Sequence, residues 1–345
     1  MRKQRSTRPT MCELLEERVV MSHVGMVAEV VSPRVATAGA LPNTSNTPPQ
    51  LGPVGALGDD TTDEYRFYPP DRSLARNWVE VLHATREVSF GPFSFKSRGE
   101  PRDQGFAYNW ARSGATSTEM VQDQLPGLAR QVADGQIRYA SILIGTNDFL
   151  QVLGGVQAGL IPPTAALPAL LKTELQAEAN VATAVGTLLA ANPNVRLVVF
   201  TLPDVTLSPL ARLGANTPQA KLLLAATSQA IQAFNTSISA LASANDRVAV
   251  ADLASATAQA ASSPTGTISF GGQTINLLTP GNDYHDFFLA DGIHPGTVAQ
   301  GTIADLFALA IDTKFGAQLF PPTPQEIVRL AQAIQLQAPH GRGPA

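Results

Sequence analysis

Apolar residues along this chain fall into two alternating patterns. Short unbroken runs, Val54-Gly55-Ala56-Leu57, Tyr139 to Ile144, Val195 to Phe200 and Val248-Ala249-Val250, have the length and composition of strands buried on both faces. Between them, apolar residues recur at helical spacing. Leu74, Trp78, Val81 and Leu82 predict a first amphipathic helix. Thr116-Ser117-Thr118 predicts the cap of a second, running through Met120, Leu125 and Val132 toward Gly135. Phe106 to Trp110 reads as a further strand. Gly154 to Pro163 reads as a Gly- and Pro-containing insertion, followed by an Ala-rich helix through Leu189 and another helix over Leu222 to Leu241. Ile268 to Ile275 carries Gly271-Gly272, the turn chemistry of a hairpin. A last core helix is expected from about Pro295 through Leu309, and a short amphipathic helix over Pro324 to Leu336. Strands alternating with helices predict an α/β fold, a three-layer α/β/α sandwich around a parallel sheet of about five strands.

The flanks differ from this centre. Pro33, Pro42, Pro48, Pro49 and Pro53 lie among Ser, Thr, Asn and Gly, a composition that reads as a linker over residues 32–53. The expected organisation is a leader over 1–31, the linker, a main domain over 54–315 and a tail over 316–345. The 345 residues are 44% apolar, ample for a sizeable core. A net charge of −4 supplies no basic field for nucleic acid. The apolar runs are too short for a membrane span. One cysteine, Cys12, rules out an internal disulfide framework. The start is basic, with Arg2, Lys3, Arg5 and Arg8, but the apolar run at Val19-Val20-Met21 is broken by Ser22 and His23, a poor secretory signal by hydropathy. Leu14 to Ser22 nevertheless resembles the Leu-Glu-x-Arg-x-x-x-Ser leader of exported planctomycete proteins, which implies export to the periplasm or beyond.

Candidate chemistry gathers in four loops. Asp291-Gly292-Ile293-His294 puts a carboxylate three residues before an imidazole, able to orient it and stabilise its charged form. Gly58-Asp59-Asp60, Gly114 and Gly145-Thr146-Asn147-Asp148 each follow a predicted strand, where open α/β sheets place their functional residues. Each also has a plainer reading: Asp291 and Asn147 as helix caps, Gly114 as a turn. His285 between Asp283 and Asp286 suggests metal, but a solvated loop explains it. The set Asp59, Asp60, Asp63 and Glu64 has oxygen ligands for a divalent cation, yet no metal site is expected there. Tyr65, Phe67 and Tyr68 suit a cleft lining and core packing equally.

In order and spacing these motifs resemble the SGNH, or GDSL, hydrolase family over roughly residues 54–315. The family's Gly-Asp-Ser-Leu block falls on Gly58, Asp59, Asp60 and Thr61, its second-block glycine on Gly114, and its Gly-x-Asn-Asp on Gly145 to Asp148. Leu202-Pro203-Asp204-Val205 with Pro209 resembles the fourth segment, and Asp291 to His294 the fifth. The resemblance implies cofactor-free hydrolysis of a small ester, a lipid or an acylated carbohydrate. His294 would be the general base and Asp291 its orienting partner. Backbone donors at 60 and 114 and the Asn147 amide would hold the oxyanion, about 3 kcal/mol per donor.

Asp60 stands where that family carries its serine. A carboxylate has no proton to surrender, and its attack on an ester would form an anhydride. It is expected to occupy the oxyanion donors itself and to raise the His294 pKa, favouring imidazolium. Loss of a triad nucleophile typically costs about a million-fold in turnover. Thr61 and Thr62 are hydroxyls, but they lie off the turn apex. Two functions therefore stand: an impaired ester hydrolase, and a non-catalytic descendant that binds a ligand in the same cleft.

Overall fold

The computed structural model describes residues 51–70, 72–96 and 104–337. The leader, Cys12 and the linker up to residue 50 lie outside the described residues. Val54–Gly58 (β1) begins the sheet and is buried throughout. Trp78–Arg86 (α1) follows, started by a capping box in which Asn77 and Glu80 satisfy each other's backbone amides. Leu74 lies ahead of this helix, in a single 3-10 turn, Arg72–Leu74. Phe93–Ser94 (β2) and Gly105–Phe106 (β3) form a small antiparallel pair. Helix α2 spans residues 117–133, opened by a Thr116–Glu119 capping box. Tyr139–Leu143 (β4) leads into Thr146–Gln157 (α3), Pro163–Ala191 (α4) and Arg196–Phe200 (β5). Pro209–Leu213 (α5), Pro218–Ser243 (α6), Val248–Ala251 (β6) and Leu253–Ala261 (α7) complete the repeating part. The hairpin Thr267–Phe270 (β7) and Gln273–Asn276 (β8) precedes Thr297–Phe315 (α8) and Pro324–Gln337 (α9).

The central sheet is parallel, in the order β1-β4-β5-β6, with Gly58 paired to Leu143 at its working end. Both α6 and α8 pack on β5 and β6; α8 also packs on α1, and α6 on α4. The two groups of helices therefore cover opposite faces, as an all-parallel sheet requires. The sheet has four strands where about five were expected. Phe106 to Trp110 does lie beside β1, through bonds from Ala56 N–H to the Tyr108 carbonyl and from Trp110 N–H to the Ala56 carbonyl. However, Asn109 N–H closes a tight turn onto the Phe106 carbonyl at 3.1 Å, so the segment cannot stay extended.

One other expectation changes. Gly154 and Gly155 continue α3 rather than opening an insertion, because Leu153 and Val152 bury that helix in the core and outweigh the glycine cost. The short amphipathic helix expected over Pro324 to Leu336 is present as α9; its Ile327, Val328, Ala331 and Ile334 are buried, and Arg86 Nη2 pairs with Glu326 at 2.7 Å.

Mid-helix, α2 widens into a π-turn over Met120–Gln124. This carries Gln124 against the end of β1, where its Oε1 accepts Gly58 N–H at 3.0 Å and its Nε2 donates to the Gly58 carbonyl at 2.9 Å. Gln124 is fully buried, so Gln124→Leu orphans the Gly58 amide and is expected to cost about 1–3 kcal/mol of stability. Urea unfolding of the variant checks this; an unchanged midpoint would show that the clamp carries no load.

Candidate active site

After Gly58 the chain turns back under itself. The amides of Thr62 and Asp63 both donate to the Asp59 carbonyl at 3.0 Å. A Cβ on Gly58 would lie 2.7 Å from Thr62 Oγ1 and 2.8 Å from the Leu143 carbonyl, so this turn needs glycine. Trp78 Nε1 donates to Thr62 Oγ1 at 3.1 Å, and the Asn77 and Asn109 amides donate to the Thr62 carbonyl at 2.7 and 2.8 Å. Thr62 is thereby locked below, and Asp60 is left at the apex.

Three other loops reach Asp60. Gly114, in a left-handed turn at φ +81°, donates its N–H to Asp60 Oδ2 at 2.9 Å. Gly145, two residues beyond β4, opens α3 and places Asn147 in the first turn of that helix, where its Nδ2 donates to the same oxygen at 2.7 Å. His294 approaches the other oxygen, with Nε2 3.5 Å from Oδ1. Its Nδ1 donates to Asp291 Oδ2 at 2.6 Å, while Asp291 Oδ1 accepts the backbone amides of Ile293 and His294. The fully buried ring of Tyr65 meets the imidazole edge-on, with centroids 6.3 Å apart. Asp60, Gly114, Asn147, Asp291 and His294 thus lie in one constellation. The side chains of Asp60 and His294 are 17% and 22% exposed, enough for a small solute to reach them.

Two participants are not legible as site residues from the motifs. Arg72 Nη1 lies 3.3 Å from Asp60 Oδ1, and its Nη2 donates to Ser113 Oγ at 2.8 Å. The guanidinium sits over the Tyr68 ring at 3.9 Å. Ser113 Oγ in turn donates to Asp60 Oδ1. Ser113 adjoins Gly114 and could have been found by that adjacency, whereas Arg72 carries no local signal.

These contacts set the charges. Burial alone would raise the Asp60 pKa, but hydrogen bonds from His294, Asn147, Ser113 and Gly114 hold it well below the usual carboxylate range. Burial opposes a charged His294, yet the Asp291 and Asp60 carboxylates outweigh it and push the imidazole up to about 9. Asp291 stays ionised: burial would raise it, but the His294 ring and loop amides lower it. The resting site is a carboxylate–imidazolium–carboxylate chain.

The remaining acids are dispersed rather than convergent. Burial and the Asp60 charge push Asp59 up to about 8, and its Oδ2 has no hydrogen-bond partner. Burial and Asp63 push Glu64 up to about 8, and its Oε1 accepts Phe106 N–H at 2.8 Å. Asp63 is raised to about 6 by burial, against hydrogen bonds from Tyr68 and from the Ser113 amide at 2.7 Å. Among the described residues no three acidic, histidine or cysteine side chains share a metal-binding geometry. His285 Nδ1 pairs only with Asp283, at 2.5 Å and partly exposed. Tyr65 is core, supporting His294; Phe67 stacks on Phe93 at 5.8 Å. In the fourth segment, Asp204 caps the turn Val205–Leu207 and accepts Ser228 Oγ at 2.6 Å. The loop of His294 leans on α5, where the Gly292 carbonyl accepts Leu210 N–H at 3.1 Å.

Residues 54–307 match the model of the GDSL-like Lipase/Acylhydrolase family. The chain belongs to that family. Among solved structures, it is similar to an extracellular lipase from Streptomyces rimosus at 17% identity and a TM-score of 0.47, covering 75% of this chain and 99% of that one. It is also similar to phospholipase A1 from Streptomyces albidoflavus NA297, at 17% identity and a TM-score of 0.46, covering 76% and 99%. A carbohydrate esterase family 3 protein from Talaromyces cellulolyticus aligns at 17% identity and a TM-score of 0.39, covering 76% and 97%. No curated protein matches the chain. Within the described residues of this GDSL-family chain, no helix is long and apolar enough to cross a membrane.

The charge pattern has a measurable consequence. His294 is raised from its ordinary 6.5, so its contribution to stability is complete below about 6.5 and is lost as pH rises through about 9. Ring proton NMR of His294 is expected to titrate with a midpoint near 9, and Asp60→Ala to lower that midpoint by about one unit. A midpoint near 6.5 in the unmodified chain would contradict the ion pair.

Proposed function

We infer that this chain carries a GDSL-type acyl-ester cleft whose ester chemistry Asp60 arrests. One observation carries the reading. Gly114 N–H and the Asn147 amide, the donors suited to a developing oxyanion, both hold Asp60 Oδ2. An ester carbonyl would have to displace a charged, hydrogen-bonded carboxylate to reach them. The imidazolium form of His294 adds a second obstacle, because a general base must arrive unprotonated.

With serine at position 60 the same groups would have complementary tasks. The hydroxyl would attack the carbonyl carbon, His294 would take its proton, and Asp291 would steady the imidazolium. Gly114 and Asn147 would hold the oxyanion until the alcohol leaves and water completes the cycle. Small-molecule esters, lipids and acylated carbohydrates are the substrate classes in keeping with the family. The leader resemblance at Leu14 to Ser22 supports export of the chain.

Binding without turnover is the second reading, and an apolar cavity of about 120 Å³ favours it. Thr61, Thr146, Ile293 and Pro295 line it, each one position from Asp60, Asn147 or His294. Its volume approaches the roughly 150 Å³ of cavities that take up benzene.

The unmodified chain is expected to hydrolyse short p-nitrophenyl esters slowly or not at all. Asp60→Ser is expected to raise the rate at least about a hundred-fold, with the gain lost on adding His294→Ala. Brisk turnover by the unmodified chain, abolished by His294→Ala but indifferent to Asp60→Ala, would refute the reading.

A further inference from the structure

A carboxylate is a poor nucleophile at an ester carbonyl, but a competent one at a saturated carbon bearing a leaving group. Attack there gives a stable alkyl ester instead of an anhydride. The remaining groups of this cleft are arranged to hydrolyse that ester. Asp60 Oδ2, the oxygen that would become the ester carbonyl, is held by Gly114 N–H at 2.9 Å and Asn147 Nδ2 at 2.7 Å. Asp60 Oδ1, the attacking oxygen, faces His294 Nε2 across 3.5 Å, and both side chains are partly exposed. The oxyanion donors thus surround the carboxyl group of Asp60 itself.

We propose that this chain is a hydrolase of small apolar epoxides, working through a covalent ester on Asp60. The reading rests on Asp60 and His294 being the working groups of the cleft, but not on any capacity for acyl-ester hydrolysis. In the first step Asp60 Oδ1 bonds to a ring carbon, the carbon–oxygen bond of the ring breaks, and the ring oxygen takes the proton of His294 Nε2. The product is a hydroxyalkyl ester of Asp60 beside a neutral imidazole. In the second step His294 removes a proton from water, whose oxygen attacks Asp60 Cγ. Charge develops on Oδ2, where Gly114 and Asn147 already donate. Collapse breaks the bond from Cγ to the ester oxygen, and the diol leaves with a proton from His294. The new carboxylic acid then returns its proton to His294, restoring the starting ion pair. The sum is epoxide plus water to diol, with no other reactant.

Two further observations fit. Esterification removes the Asp60 charge, one of the causes that keep His294 protonated, so the base is released when it is needed. The many donors on Asp60 lower its nucleophilicity, yet the same donors make its ester more electrophilic. The cavity lined by Thr61, Ile293, Pro295, Leu277, Phe287 and Ile303 takes in the chain neighbours of Asp60 and His294 and suits a short apolar substituent. Arg72, on Asp60 Oδ1 at 3.3 Å, holds the attacking oxygen in place.

The probe is 1,2-epoxyhexane, given to the full chain in water enriched in oxygen-18 under single-turnover conditions. The expected result is diol formation at least about a hundred-fold above the Asp60→Ala chain, with the heavy oxygen found in Asp60 by peptide mass spectrometry. The label belongs there because water attacks Cγ while the diol carries off an original carboxylate oxygen. Diol formed without label in Asp60 would mean direct attack by water and would overturn the proposal. So would the absence of both diol and label from the unmodified chain, whatever the variants do. The ester assay on Asp60→Ser reads a different reaction, so the two readings fail separately.

Discussion

One carboxylate organises this cleft. Asp60 takes donors from four separate segments: Arg72, the Ser113-Gly114 turn, the first turn of α3, and the loop of His294. Hydrogen bonds to a charged group contribute about 1.5–3 kcal/mol each, and their loss would leave several polar groups without partners. The segments belong to different parts of the sheet edge, so the carboxylate ties them into one surface. In a serine enzyme the same donors would wait for a substrate oxygen. Here they are satisfied in the resting state, and the histidine is charged because its neighbours on both sides are anions.

The scaffold explains why the donors point inward. The parallel register ends β1 and β4 together, at Gly58 and Leu143, so the loops after them emerge side by side. Gln124 then grips both backbone groups of Gly58 from a widened turn of α2. Trp78 and Asn77, at the start of α1, clamp Thr62 from below. Buried polar bonds at the strand ends thus fix the site above the apolar core. Such networks hold geometry well only when every member is partnered. Asp59 Oδ2 is the exception among the described residues, and burial there keeps the acid protonated near neutral pH, which leaves Asp60 as the charged member of the pair.

Much of this was readable from residue order. The buried runs at Val54, Tyr139, Val195 and Val248 announced the sheet because strands buried on both faces need continuous apolar sequence. The Gly271-Gly272 turn announced the hairpin, and Thr116-Ser117-Thr118 the start of α2. Gly114, Asn147 and His294, gathered around Asp60, were legible because each sits just after a strand or at or just before the start of a helix. What the sequence hid was long-range or context-dependent. The failure of Phe106 to Trp110 to stay extended depends on a turn hydrogen bond, not on composition. Gly154 and Gly155 look like breakers until their neighbours are seen in the core. Arg72 reaches the site from a 3-10 turn by lying over Tyr68, and no spacing rule marks it.

Everything in the cleft turns on the Asp60 carboxylate occupying the donors at Gly114 and Asn147. The Gly114 amide tests it most directly, because this residue is exposed and its N–H is shielded only by Asp60 Oδ2 at 2.9 Å. Amide hydrogen exchange followed by NMR on the unmodified chain and on Asp60→Ala reads that bond. The expected result is a slow-exchanging, downfield Gly114 proton that moves upfield and exchanges at least about ten-fold faster once the carboxylate is removed, with the Asn147 side-chain amide shifting alongside it. Equal exchange and unchanged shifts in the two chains would show that the donors stand open and that the carboxylate points elsewhere.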